Sequence, residues 1–188
     1  MTAFNVVVMA AGQGTRMRSA IPKVLHELCG RPMVAWPVHA AREAGAERVV
    51  VVTSPDVDLR SALPEGTLTA VQPNPDGTGG AVRDALPSLQ DADPKAPIVV
   101  INGDVPLISA EVIRALVAVH VERGAAATVA TTRLEDPTGY GRIVRDADGR
   151  LKAIVETRRP EDATEEILAV DEVNAGIYCF DHAALQAA

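Results

Sequence analysis

Apolar residues in this chain fall in short unbroken blocks rather than in strict alternation. The first is Phe4-Asn-Val-Val-Val-Met-Ala10. Arg48-Val-Val-Val-Val-Thr53, Leu68-Thr-Ala-Val71, Pro97-Ile-Val-Val-Ile101 and Ala125-Ala-Ala-Thr-Val-Ala-Thr131 follow. Blocks apolar on both faces are how parallel strands covered on both sides read. The stretches between them predict helices. Residues 32–44 have a proline in first position and Gly45 at the end, and Pro37 inside predicts a kink or a late start. Residues 78–86 give a second helix. Residues 109–123 give the clearest: Ser109 suits the N-cap, Glu111 the first turn and Gly124 the stop, with Val112, Ile113, Leu116 and Val117 as the apolar stripe. Alternating strands and helices predict an α/β fold, a Rossmann-like, mostly parallel mixed sheet flanked by helices.

The pattern changes after about residue 136. Arg142-Ile-Val-Arg145, Asp146-Ala-Asp-Gly149 and Leu151-Lys-Ala-Ile-Val155 predict a small hairpin insertion with a Gly-containing turn. Residues 157–166 are charged and read as loop. Ala175-Gly-Ile-Tyr-Cys-Phe180 is one more strand, and Asp181 suits the cap of a final helix. With no repeat, low-complexity tract or linker, residues 1–188 read as one domain.

Composition narrows the class. The chain has 188 residues, 47% hydrophobic and 23% charged, which fits a soluble globular domain and excludes disorder, collagen and coiled coil. No apolar run reaches the roughly 18 residues of a membrane span. No basic segment precedes the first apolar run, so the expected location is cytoplasmic, without a membrane partner. A net charge of −7 disfavours nucleic acid as a partner but permits a local basic pocket. Aromatics at 3% argue against a base-stacking platform. Cys29 and Cys179 have no metal-like spacing and read as reduced core thiols.

The candidate chemistry begins where the first strand runs into Ala10-Ala-Gly-Gln-Gly-Thr-Arg-Met17. A Gly-rich turn at the carboxyl end of a first strand is where α/β sheets bind phosphates, and Gly12 and Gly14 permit close backbone approach. The alternative reading of the same turn is a tight connection only. The dinucleotide fingerprint and the P-loop are both absent. Two cations follow instead, Arg16 and Lys23. Each alone is an ordinary surface charge; beside a phosphate turn they suit a polyphosphate. Asp104, just past an apolar strand, suits either a metal or a turn. The four histidines have no metal-like or acid–base spacing, and His120 lies with the apolar stripe of its helix as a core or boundary residue.

Ala10 to Met17 followed by Ile21-Pro-Lys-Val-Leu-His26 resembles the signature of the sugar-nucleotide pyrophosphorylases. Further segments come in order: Gln72 with Asp76-Gly-Thr-Gly79, Asn102-Gly-Asp-Val-Pro-Leu107, Asp136-Pro-Thr-Gly-Tyr-Gly-Arg142, Ile154-Val-Glu156 and Glu172-Val-Asn-Ala-Gly176. The series resembles the N-terminal uridylyltransferase domain of the bacterial bifunctional N-acetylglucosamine-1-phosphate uridylyltransferases/glucosamine-1-phosphate acetyltransferases, over nearly the whole chain. The resemblance implies uridylyl transfer from UTP to N-acetylglucosamine 1-phosphate, giving UDP-N-acetylglucosamine and pyrophosphate with Mg²⁺ as cofactor. It implies nucleotide binding by Ala10, Ala11, Gly12, Gly14, Gln72, Gly77 and Thr78. Sugar binding falls to Gly139, Glu156 and Asn174, catalysis to Arg16, Lys23 and Asp104, and the metal to Asp104. Gln72 would read the uracil, since a carboxamide offers a donor and an acceptor in one plane.

The chain departs from the family at Gln13, where relatives often carry Lys, at Pro75 and Asp76, and at Ala175, where Thr is common. Relatives also continue with an Asn as second metal ligand and a β-helix acetyltransferase domain, through which they form homotrimers. The chain therefore reads as a domain incomplete at its C-terminus. Alternatives are the same chemistry with another nucleotide or sugar 1-phosphate, or a catalytically impaired nucleotide-sugar binding module. A dinucleotide-dependent oxidoreductase is the most distant.

Overall fold

A computed structural model of the chain describes residues 2–12, 14, 17, 19–157 and 163–187. Two compact units are present: residues 1–128 with 178–188, and residues 129–177.

The first unit is built on strands β1 (Asn5–Met9), β4 (Arg48–Thr53), β5 (Leu68–Val71) and β6 (Ile98–Asn102). They lie in the order β5-β4-β1-β6, every pair parallel, with Val7 between Val50 and Val100. Val6, Val7, Val8, Val50, Val51, Val99 and Val100 are fully buried, so β1, β4 and β6 are covered on both faces, while the edge strand β5 is buried only at Ala70. Alternation sorts the side chains by face. Val7, Val50, Val52, Ile98 and Val100 pack with Ala81, Val82 and Ala85 of helix α2 (Gly77–Ala85) and with Leu89. Helices α1 (Ala35–Ala44) and α3 (Ala110–Arg123) pack against each other. Strands β2 (Glu27–Leu28) and β3 (Arg31–Pro32) form a separate hairpin.

Strands β4 and β5 have the bounds the apolar blocks predict, and α3 has the predicted caps. Val112 N donates to Ser109 Oγ, and Gly124 closes the helix at φ +56°. Helix α1 makes the late start that Pro37 predicts: Pro32, expected at its first position, belongs to β3, the helix begins three residues later, and Pro37 falls in the first turn, where a missing N–H costs nothing. Two other expectations need correction here. Val112 is 44% exposed, and the buried stripe of α3 is Ile113, Leu116, Val117 and His120. Cys29 is exposed at a turn with φ +53°, while Cys179 is buried and its thiol pushed up to about 12 by burial.

The second unit is antiparallel. Strand β8 (Arg142–Arg145) pairs with β9 (Leu151–Val155), the predicted hairpin, and with β10 (Glu172–Phe180). Strand β7 (Ala127–Arg133) also pairs with β10. Together the strands make a mixed sheet, as the sequence predicts. Strand β10 begins three residues before the apolar block because Glu172, a charged residue, is buried there. A short helix, α4 (Glu165–Leu168), stands at the end of the stretch expected to be loop. The chain returns to the first unit through Tyr178, whose ring stacks on Phe180, and ends in α5 (His182–Ala187), capped by Asp181 Oδ1 accepting from Ala184 N at 2.8 Å.

Candidate active site

Parallel pairing fixes the location of the first group of residues. Because β1, β4, β5 and β6 run the same way, their carboxyl ends share one edge. Ala10, Ala11 and Gly12 leave that edge after β1, Gln72 after β5, and Gly103 with Asp104 after β6. The Gly103 N–H donates to the Met9 carbonyl at 2.8 Å, and the Gln72 N–H to the Thr53 carbonyl at 2.8 Å. Backbone bonds thus tie the turns after β6 and β5 into the sheet's own ladder. Among the described residues, no atom lies within 4 Å of where a Cβ would stand at Gly12, Gly77 or Gly139, so the backbone there is open to a bound group.

Lys23 sits on a 3₁₀ turn, Lys23–Leu25. Its Nζ reaches Asp104 Oδ2 at 2.6 Å, both side chains 36% exposed. Gly14 makes this placement possible. It adopts φ +58°, and a Cβ there would stand 2.6 Å from Lys23 Cβ, so any other residue would push Lys23 away. Arg16 and Gln13 lie outside the described residues. No cluster of three or more His, Cys, Asp or Glu that could hold a metal occurs among the described residues.

Gln72 is buried, at 7% exposure. Its Nε2 donates to Asp76 Oδ1 at 2.8 Å and to the Gly77 carbonyl at 3.0 Å. Asp76 Oδ2 accepts from Arg83 Nη2 at 2.6 Å. The Arg83 bond first, and the Gln72 bond second, hold the Asp76 carboxyl below the usual carboxylate range. Thr78 is exposed in the first turn of α2.

The second unit gathers its own candidates around Gly141. The Asn174 N–H donates to the Gly141 carbonyl at 2.8 Å, and Asn174 Oδ1 accepts from Gly176 N at 2.9 Å. The exposed Glu156 carboxylate lies beside Gly141, 3.0 Å from where a Cβ would begin. The loop carrying Gly139 is braced from within. Arg142 Nη1 donates to the Pro137 and Tyr140 carbonyls, Thr157 Oγ1 donates to the Tyr140 carbonyl at 2.8 Å, and Asp136 Oδ1 accepts from Thr138 N at 3.1 Å. Under the strand, Glu172 takes two bonds from Arg145 at 2.6 and 2.8 Å and one from Thr131 at 2.7 Å. Arg145 chiefly, and Thr131 after it, hold its carboxyl at about 2 against the desolvation that opposes them.

Sequence reasoning gave no role to Asp76, Arg83, Arg142, Thr157 or Glu172. An Asp just before a helix with Arg83 two turns further on was a signal for the first pair. Glu172 gave none, because its partners come from other strands.

The carboxyl-end edge of a parallel sheet, here carrying a Gly-containing turn after β1 and a Lys–Asp pair after β6, is where α/β domains handle phosphates. Residues 6–169 match the family described as the MobA-like NTP transferase domain. The chain belongs to that family and is a nucleotidyltransferase. It is 47% identical over 178 residues to the bifunctional protein GlmU of Trichlorobacter lovleyi, covering 93% of this chain and 38% of that protein. Identity to the protein of the same name from Clavibacter sepedonicus is 48%, covering 96% of this chain and 37% of the relative. For Kineococcus radiotolerans it is 49%, with coverages of 96% and 37%. The chain thus spans less than two-fifths of the length of these relatives, in their N-terminal part. No helix among the described residues is long and apolar enough to cross a membrane.

Proposed function

We propose that this nucleotidyltransferase moves the uridylyl group of UTP onto N-acetylglucosamine 1-phosphate, giving UDP-N-acetylglucosamine and pyrophosphate. The observation that carries the reading is the shared edge: Ala10 to Gly12, Gln72 and the Lys23–Asp104 pair all stand at the carboxyl ends of parallel strands. Identity of 47–49% to relatives named bifunctional protein GlmU supports it.

The donor set fits a magnesium ion. Asp104 offers an exposed, hard carboxylate, with Oδ1 outside the Lys23 pair, and a site with one carboxylate suits an ion that keeps water and takes phosphate oxygens. Such an ion would neutralise charge on the triphosphate. The protein's part is positioning. Gly12 and Gly14 line the triphosphate, Gly77 and Thr78 the base and ribose, and Gln72 the uracil. A phosphate oxygen of the sugar 1-phosphate attacks the α-phosphorus, and the bond to the β-phosphate oxygen breaks. Lys23 and Arg16 stabilise the charge that collects on departing pyrophosphate. In the second unit Glu156 accepts from sugar hydroxyls, Asn174 fixes the acetamido sugar and Gly139 presents its backbone amide. On this reading residues 1–188 act as one nucleotidyltransferase domain of a cytoplasmic enzyme.

Calorimetry with UTP and UDP-N-acetylglucosamine in Mg²⁺ tests the reading. Both should bind, and Glu156→Ala should weaken the sugar nucleotide while sparing UTP. Equal loss of both ligands would refute the division of roles.

A further inference from the structure

Gln72 is fixed more tightly than a contact residue after a strand requires. A carboxamide nitrogen carries two hydrogens, and both are used, on Asp76 Oδ1 and on the Gly77 carbonyl. Two acceptors facing one atom identify it as the nitrogen, because the reversed amide would set oxygen against a carboxylate and a carbonyl. The remaining polar atom, Oε1, can only accept. Asp76 is in turn gripped from its other oxygen by Arg83 at 2.6 Å. Its carboxylate fills space that exists only because residue 80 is glycine: a Cβ there would stand 1.7 Å from Asp76 Oδ1. Gly80 thus makes room for Asp76, Arg83 holds it, and Asp76 with the Gly77 carbonyl occupies the Gln72 donors.

We infer that Asp76 is a positioning residue for base selection, which turns Gln72 from a side chain that could donate or accept into an acceptor only. The inference rests on Gln72 being the base contact, as proposed above. An acceptor at the pairing edge suits uracil, whose N3 carries a hydrogen. Cytosine has a lone pair at N3, so the same oxygen repels it. Released from Asp76, the amide can turn over and offer its N–H to cytosine. Asp76 therefore contributes selectivity rather than bulk affinity.

The test is calorimetry of UTP and CTP on the parent chain and on two variants. Asp76→Asn keeps the shape. Arg83 demands the new side chain's oxygen, so its NH₂ faces Gln72 and favours the reversed amide. Gly80→Ala leaves Asp76 intact but evicts its carboxylate, and alanine favours the helix, so a change in that variant cannot be ascribed to a weakened fold. The parent should prefer UTP. Each variant should lower the UTP-to-CTP affinity ratio roughly tenfold, the scale of one hydrogen bond to a charged group. If the parent prefers UTP and both variants keep its ratio within about twofold, or lose both nucleotides equally, the role of Asp76 is refuted while Gln72 stands. A parent with no preference would overturn the reading of Gln72 itself, and the inference with it.

Discussion

Replacing Glu172 by Gln should cost the second unit stability at neutral pH but almost none in acid. Glu172 is 8% exposed and takes three hydrogen bonds, two of them from Arg145. Its carboxyl is held at about 2, against an ordinary value of 4.5. The unfolded chain therefore binds this proton more readily than the folded one, and stability falls as pH drops from above about 4.5 towards 2. A separation of about 2.5 units corresponds to a ceiling of about 3 kcal/mol. Arg145 is 44% exposed, and solvent screening there brings the expectation to about 2 kcal/mol. The assay is urea unfolding of the parent and Glu172→Gln at a series of pH values, followed by circular dichroism. Other groups titrate alike in both proteins, so the difference isolates Glu172. The gap should be widest above pH about 5 and less than half as large at pH about 3. A gap that stays constant between those values would refute the assigned charge interaction.

Gly14→Ala should cost about 1–2 kcal/mol for a left-handed alanine and, by displacing Lys23, lower turnover on the order of tenfold or more; a variant with parental pyrophosphate release would show that Lys23 does not act from this position. Lys23→Ala should reduce turnover on the order of 10²-fold while leaving UTP affinity within about threefold, checked by pairing rates with calorimetry. A maleimide reagent should label Cys29 promptly and Cys179 only on unfolding, since the first is exposed and the second fully buried; mass spectrometry of the labelled peptides decides it.

What could be read from sequence follows from where the physics is local. Strand β4 was legible because burial on both faces leaves an unbroken apolar block, whereas β5 kept its predicted bounds although only Ala70 of its four residues is buried. Helix α3 was legible because Ser109 and Gly124 act within one turn of its ends. Gln72 and Asp104 were singled out by the family resemblance of the segments that hold them, each shortly after a strand. Val112 was assigned to the wrong face, since the periodicity of α3 admits it but the buried residues of the helix are Ala110, Ile113, Leu116, Val117 and His120. The start of β10 was hidden by Glu172, whose burial depends on Arg145 and Thr131 from other strands. The Asp76–Gln72 lock needed coordinates, because it depends on empty space above Gly80 that no residue type announces.

The most direct test of the central claim is pyrophosphate release in a single turnover at high chain concentration with Mg²⁺. UTP, CTP, GTP and TTP would each be paired with N-acetylglucosamine 1-phosphate, glucose 1-phosphate and mannose 1-phosphate, and the sugar nucleotide identified by mass spectrometry. UTP with N-acetylglucosamine 1-phosphate should give pyrophosphate and UDP-N-acetylglucosamine in equal amounts, at least about tenfold faster than any other pair. Faster release with another nucleotide or another sugar phosphate, or none from this pair while both substrates bind, would contradict it.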